Sequence, residues 1–238
     1  MSQDTTSPNM NDEKRAALAD AAWALLATHN IDQIELEMVA DMAGIDHGLS
    51  GAVGGSVQRL LLAKMAALDH QTVLETYGDI QHEDTVSIRE KIIEGLLHRF
   101  ETYAPYRQQI ENLNRAARRH PELALRLFDG LEAVVRRILV MSGDPVRGLK
   151  GMLRVKGVIG VVLNVARVWL KDDGADLAAT MKALDNNMTK AEEWGHSLRL
   201  FADDRRGDQS GSAAGGDYGH DAGEDYGHDR GRRGVDND

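Results

Sequence analysis

From residue 12 to about residue 204, apolar side chains recur at spacings of three and four, and nowhere do they alternate with polar ones over the length of a strand. A chain patterned this way folds as helices separated by short breaks, and a sheet is excluded over that whole span. Composition agrees. Apolar residues make up 42% and aromatic residues 5%, with Ala, Leu, Val and Met in the majority, which are residues of helices more than of sheets. Cysteine is absent, so disulfides, thiolate metal sites and cysteine nucleophiles drop out.

The breaks place the helices. Residues 1–11 read as a loose leader, and Asp12 is positioned to cap a helix reaching about Asn30, with Ala16, Leu18, Ala21, Ala22, Leu25 and Leu26 on one face. Two short pieces follow, about 35–42 and 46–53, joined at Gly44. Ser56 opens a longer helix to about Tyr77, and Thr85 or Ser87 opens one over Ile88, Ile92, Leu96 and Phe100. Pro105 and Pro121 each suit a first helical turn. Ser142-Gly143-Asp144-Pro145 breaks the chain before a very apolar helix, about 149–171, and a last helix follows Asp172-Asp173-Gly174. The apolar run from Gly157 to Leu170 is too short to span a bilayer. Beyond 204 the tandem octapeptides GDYGHDAG and EDYGHDRG are too polar to form a core, so 205–238 reads as a disordered tail. The start is neither a signal peptide nor an Arg-rich transit peptide, and the expected location is cytoplasmic, with membrane association left open.

Charge divides the chain more sharply than its net −10 suggests. Residues 1–70 carry four basic against ten acidic groups, and residues 89–171 carry sixteen against eight. An anionic partner therefore meets the middle of the chain, where a peripheral membrane contact is open. Gly48-Leu49-Ser50-Gly51-Ala52 nearly spells a hydrolase elbow, but it lacks the second glycine and the preceding strand. No histidines share metal-ligand spacing on a helix face. The chain reads as a non-enzyme with no cofactor and no metal.

The order of the motifs resembles the TetR-type regulators. Leu36-Glu37-Met38-Val39-Ala40-Asp41-Met42-Ala43-Gly44-Ile45 is similar to the first helix and turn of their helix-turn-helix, and Ala16 to Leu26 to their opening helix. Arg154-Val155-Lys156-Gly157, Arg167 to Asp173 and Thr180 to Asp185 look like their terminal helices. Over residues 12–202 the resemblance implies an all-α bundle of about nine helices. A degenerate helix-turn-helix domain (12–70) precedes a ligand-binding and dimerisation domain (71–204), in which the last two helices form a four-helix interface. It also implies a homodimer that takes an apolar small molecule or lipid. Leu96, Phe100, Leu127, Leu131, Leu153, Val158 and Val162 are the candidate pocket lining, and Val155, Val162, Trp169, Met181, Leu184 and Met188 the candidate dimer face.

The reader segment departs from that family. Gly51, Gly54 and Val57 stand where a tyrosine, an aromatic and a lysine belong, and no Lys or Arg lies between Met42 and Gln58. Charge thus disfavours DNA as a partner without excluding it, and His47, Ser50, Gln58 and Arg59 are the contacts available. A related family shares that departure: the lipid-binding accessory proteins of ubiquinone biosynthesis. Gly44-Ile45-Asp46 through Leu49, Gly54, Leu60 and Leu62 are similar to theirs, as are Arg99-Phe100-Glu101 with Tyr106-Arg107, and Ser142-Gly143-Asp144. Met152-Leu153-Arg154 stand where that family carries an aromatic and tyrosine-lysine-arginine signature. Two readings stand: a regulator answering an apolar ligand, or an isoprenoid-binding accessory protein.

Overall fold

A computed structural model describes residues 8–80, 86–144, 146–174 and 176–207. Among these there is no strand; nine α-helices and two 3-10 turns account for the regular structure. They are α1 (Pro8–Leu25), α2 (Leu36–Ala43), α3 (His47–Gly54), α4 (Val57–Ile80), α5 (Ile88–Tyr103), α6 (Arg107–Ala117), α7 (Pro121–Met141), α8 (Gly148–Trp169) and α9 (Ala178–Gly207). The chain divides into two units, Met1–His196 and Ser197–Asp238. The tandem YGHD repeats lie outside the described residues.

Local chemistry sets most boundaries. Gly44 ends α2 with φ +65°, a left-handed geometry that glycine adopts without the clash a Cβ would bring. Asp46 then caps α3 by accepting from the Leu49 amide at 3.1 Å. Ser87 opens α5 through a reciprocal capping box with Glu90, and the alternative, Thr85, lies outside the described residues. Pro121 occupies the first turn of α7, as its missing N–H allows, whereas Pro105 sits in the 3-10 turn Ala104–Tyr106 leading into α6. The start of α1 differs from expectation. The helix is already formed at Pro8, so Asp12 lies inside it, and it ends at Leu25 rather than near Asn30. The turn after it is held by an Asn30–Gln33 capping box.

The core is continuous from the first helices into the body. Leu18 and Ala22 of α1, with Leu26 just after it, bury against Val39 of α2 and against Leu60 and Leu61 of α4. The same cluster runs on through Ile92, Leu96, Ile138, Leu139, Val155, Val165 and Trp169. Burying such side chains is worth roughly 1.5–3 kcal/mol each, so this stripe is what binds the small N-terminal helices to the rest. No helix among the described residues is long and apolar enough to cross a membrane.

Candidate functional site

Helices α2 and α3 hold the geometry of a helix-turn-helix. Val39 and Ala40 are buried on the inner face of α2, and the Ile45 amide returns to the Ala40 carbonyl at 3.0 Å, closing the turn after Gly44. The outer face is left to Glu35, Glu37, Asp41 and Asp46, with Gly48, Gly51 and Ala52 exposed on α3. From Ala16 to Gln58 the chain carries no Lys or Arg. The surface that would approach a phosphate backbone is therefore acidic and nearly smooth, the reverse of what phosphate neutralisation requires.

The four DNA-contact candidates separate under this geometry. Ser50 is withdrawn: it is buried, and its hydroxyl donates to the His47 carbonyl at 2.8 Å, one turn back along its own helix. His47 is exposed, but its Nε2 is 2.8 Å from Asp41 Oδ1. Hydrogen bonding to that carboxylate, together with its charge, raises the imidazole above its ordinary value and keeps the resulting cation engaged. Gln58 is half-buried at the start of α4. Arg59 is exposed and lies against Gly55, free of any acidic partner among the described residues.

One polar feature went unread in the sequence. Asp69, Thr72 and Thr76 on the inner side of α4 face His98, Arg99 and Thr102 of α5. Arg99 Nε donates to Asp69 Oδ1 at 2.8 Å, Thr72 donates to Thr102 at 3.1 Å, and Thr76 Oγ1 lies 3.1 Å from His98 Nδ1. The Tyr103 hydroxyl reaches the Met65 carbonyl at 3.2 Å, and the Arg99 guanidinium lies over the Tyr103 ring. Burial works against the Arg99 charge, but Asp69, with Tyr103, more than offsets it. Burial likewise pushes the Tyr103 phenol far above its ordinary range. The signal was present in the sequence as polar residues at helical spacing on the face of α4 that otherwise carries Leu61 and Leu68.

The body places the remaining candidates. Leu96, Phe100, Val158 and Val162 lie together in the core, with Leu127 and Leu131 packed at its margin. Leu153 does not join them; it is 51% exposed on the outside of α8. The dimer candidates need a similar correction. Val155, Val162, Trp169, Leu184 and Met188 are buried inside the protomer, and of the six only Met181 (47% exposed) lies at the surface. Trp169 is fixed there by its indole N–H, which donates to the Phe100 carbonyl at 3.1 Å. Among the residues whose side chains are described, the large apolar ones that α8 and α9 expose are Leu149, Met152, Leu153, Leu163, Val168, Met181 and Trp194. Gly157 and Gly160 lie on the outside of α8 as well, and a Cβ at either would meet nothing. Close packing within the protomer therefore does not account for these two glycines.

Helix α6 connects the body to the reader. Asn112 donates to the Leu26 carbonyl at the end of α1 (2.7 Å), and Asp32 is held by His120 at 2.8 Å and by Arg119 at 3.8 Å.

Solved structures share this arrangement. A TetR transcriptional regulator from Nitrosomonas europaea aligns over 75% of this chain and 97% of its own, at 14% identity and a TM-score of 0.61. The fatty acid degradation regulator FadR from Bacillus halodurans aligns over 74% and 94%, at 19% identity and 0.55. A TetR regulator from Rhodococcus sp. RHA1 aligns over 74% and 96%, at 14% identity and 0.50. This chain has the TetR-regulator fold. At such low identity the likeness extends to the fold alone. No family model matches the chain, and no curated protein matches it. The specific likeness to ubiquinone accessory proteins finds no support among these structures.

Proposed function

We propose that this protein is a homodimeric regulator of TetR design that answers an apolar ligand taken up by its helical body, and whose hold on DNA is weak. The observation that carries this reading is the helix-turn-helix itself. It retains its turn, its cap and its buried face, and it is tied through α4 and α6 to a body with the fold of TetR regulators. The fatty acid degradation regulator among the similar structures is in keeping with an apolar effector. Leu96, Phe100, Val158 and Val162 are the proposed walls of the ligand site, which opens by displacement of α7 against α8. Exposed Leu153 and Trp194, with Gly157 and Gly160 leaving α8 smooth, are the proposed contacts between protomers. Sedimentation as a monomer at micromolar concentration would remove this part of the reading.

The test is a fragment-shift assay on genomic DNA over a range of salt, run on the native chain and on the double variant Gly51→Lys, Val57→Lys. Each new phosphate contact steepens the plot of log affinity against log salt by about 0.9, so the variant is expected to bind more tightly with a slope steeper by about 2. A variant that gains nothing shows that α3 is not a DNA surface. One observation favours a second reading, a lipid-binding protein that has given up DNA: the absence of any Lys or Arg from Ala16 to Gln58. Native mass spectrometry followed by organic extraction separates the two. A stoichiometric lipid with no DNA shift selects the second.

A further inference from the structure

On the C-terminal half of α6 a surface depression of about 210 Å³ is lined by Glu111, Asn114, Arg115, Arg118 and Leu170. That is below the roughly 300 Å³ at which sites for drug-sized ligands begin, and suits a small headgroup. Its charge is unbalanced. The Arg118 side chain has no hydrogen-bond or ion-pair partner among the described residues, and neither has that of Glu111, although Glu111 and Arg115 stand one helical turn apart. Arg115 uses a single N–H, donating from Nη1 to Asn112 Oδ1 at 3.2 Å. Two guanidinium groups with most of their donors unused, one neutral amide and an aliphatic floor are held in one concavity, with a lone carboxylate at its edge.

We propose that this depression binds the anionic end of a small organic molecule, a phosphate or carboxylate, between Arg115 and Arg118. Guanidinium forks match such oxyanions in two parallel hydrogen bonds. Asn114 adds a neutral donor, Leu170 lies under the first carbons, and Glu111 restricts the site by repelling a second negative group. The site is connected to the reader. Arg115 holds Asn112, and Asn112 holds the Leu26 carbonyl at the end of α1, so an anion that draws Arg115 away from Asn112 loosens that attachment. Arg118 directly precedes Arg119 and His120, the pair that holds Asp32. The inference deepens the proposed function by giving its effector a charged end. It rests on that reading only for the consequence at the reader.

The experiment is calorimetric titration of the full chain, without DNA, with hexyl phosphate, hexanoate and inorganic phosphate, and with phosphatidylglycerol vesicles against phosphatidylcholine ones. The variants are R115Q, R118Q, the double R115Q/R118Q, and E111Q. All three positions are exposed, and circular dichroism checks that folding is unchanged. Each single arginine variant is expected to weaken binding about tenfold, and E111Q to strengthen it about threefold. The Asn112 side-chain amide resonance is expected to shift on saturation. Binding of hexyl phosphate or hexanoate that follows this pattern assigns a soluble amphiphile. Binding of the anionic vesicles alone, abolished in the double variant, assigns a lipid headgroup. Failure of every probe, or binding untouched by the double variant, overturns the proposal. Because no DNA is present, a site that binds while no fragment shifts leaves this inference standing and removes the regulator reading.

Discussion

The reader and the body share one apolar core and present opposite charges to solvent. In α2 and α3 the inner positions, such as Val39 and Ala40, hold helices that carry a carboxylate surface outside. In α6 to α8 an equally apolar interior supports Arg115, Arg118, Arg137, Arg147 and Lys150. The difference teaches that the buried stripe and the exposed face answer to separate requirements. A helix-turn-helix keeps its shape while the groups that neutralise phosphate are gone, because none of those groups holds the turn together.

The strongest way to break the comparison is to cut the tie between its halves. Asp69 and Arg99 pair with side chains only 8% and 13% exposed. Asp69→Ala leaves a buried guanidinium without its counter-charge, at a cost of about 3–5 kcal/mol in urea unfolding. A loss under about 1 kcal/mol would mean that water replaces the carboxylate. Next in size is Gly151→Ala in the body, where a Cβ would stand 2.6 Å from the Val146 carbonyl carbon. Overpacking of this kind costs about 1–3 kcal/mol, and hydrogen exchange should report it first in α7 and α8. Gly44→Ala tests the reader. Its Cβ meets nothing, so the penalty is that of the left-handed backbone alone, about 1–2 kcal/mol, with exchange rising first in α2 and α3.

The smallest effect sharpens the surface side of the comparison. Asp41→Asn should change stability by less than about 0.5 kcal/mol, yet lower the titration midpoint of His47 followed by NMR. The sign follows from the raised value: the His47–Asp41 attraction is present where the imidazole is protonated and is lost as pH rises through its midpoint in the folded chain. An unchanged midpoint in the variant would mean that the Asp41 contact contributes nothing in solution and that only Glu37 and Asp46 raise the value.

Much of this was legible in the residues. The short pieces expected at 35–42 and 46–53 are the helices Leu36–Ala43 and His47–Gly54, because Gly44 and Asp46 are chemically unambiguous signals. What failed has a common cause. A spacing of three and four says that a face is buried, not by what, so Val155, Trp169 and Leu184 looked available to a second chain when their own protomer covers them. Ser50 failed for a related reason, since a hydroxyl on a small helix bonds as readily to the preceding turn as to a partner. The α4–α5 pairs were visible as polar residues on an apolar face, but naming Arg99 as the partner of Asp69 requires knowing how the two helices lie.

The three tryptophans are distributed in a way that gives the molecule its own optical labels. Trp23 meets Tyr106 edge-on at 5.7 Å, where the reader joins the body. Trp169 lies beneath the Arg107 guanidinium at 5.4 Å, beside the Leu170 floor of the α6 depression. Trp194 stands 73% exposed. Emission from Trp194 is therefore separable from that of the buried pair by colour and by access to a quencher. Events on the outer face of α9 leave a spectral trace distinct from events in the buried interior, with no dye attached.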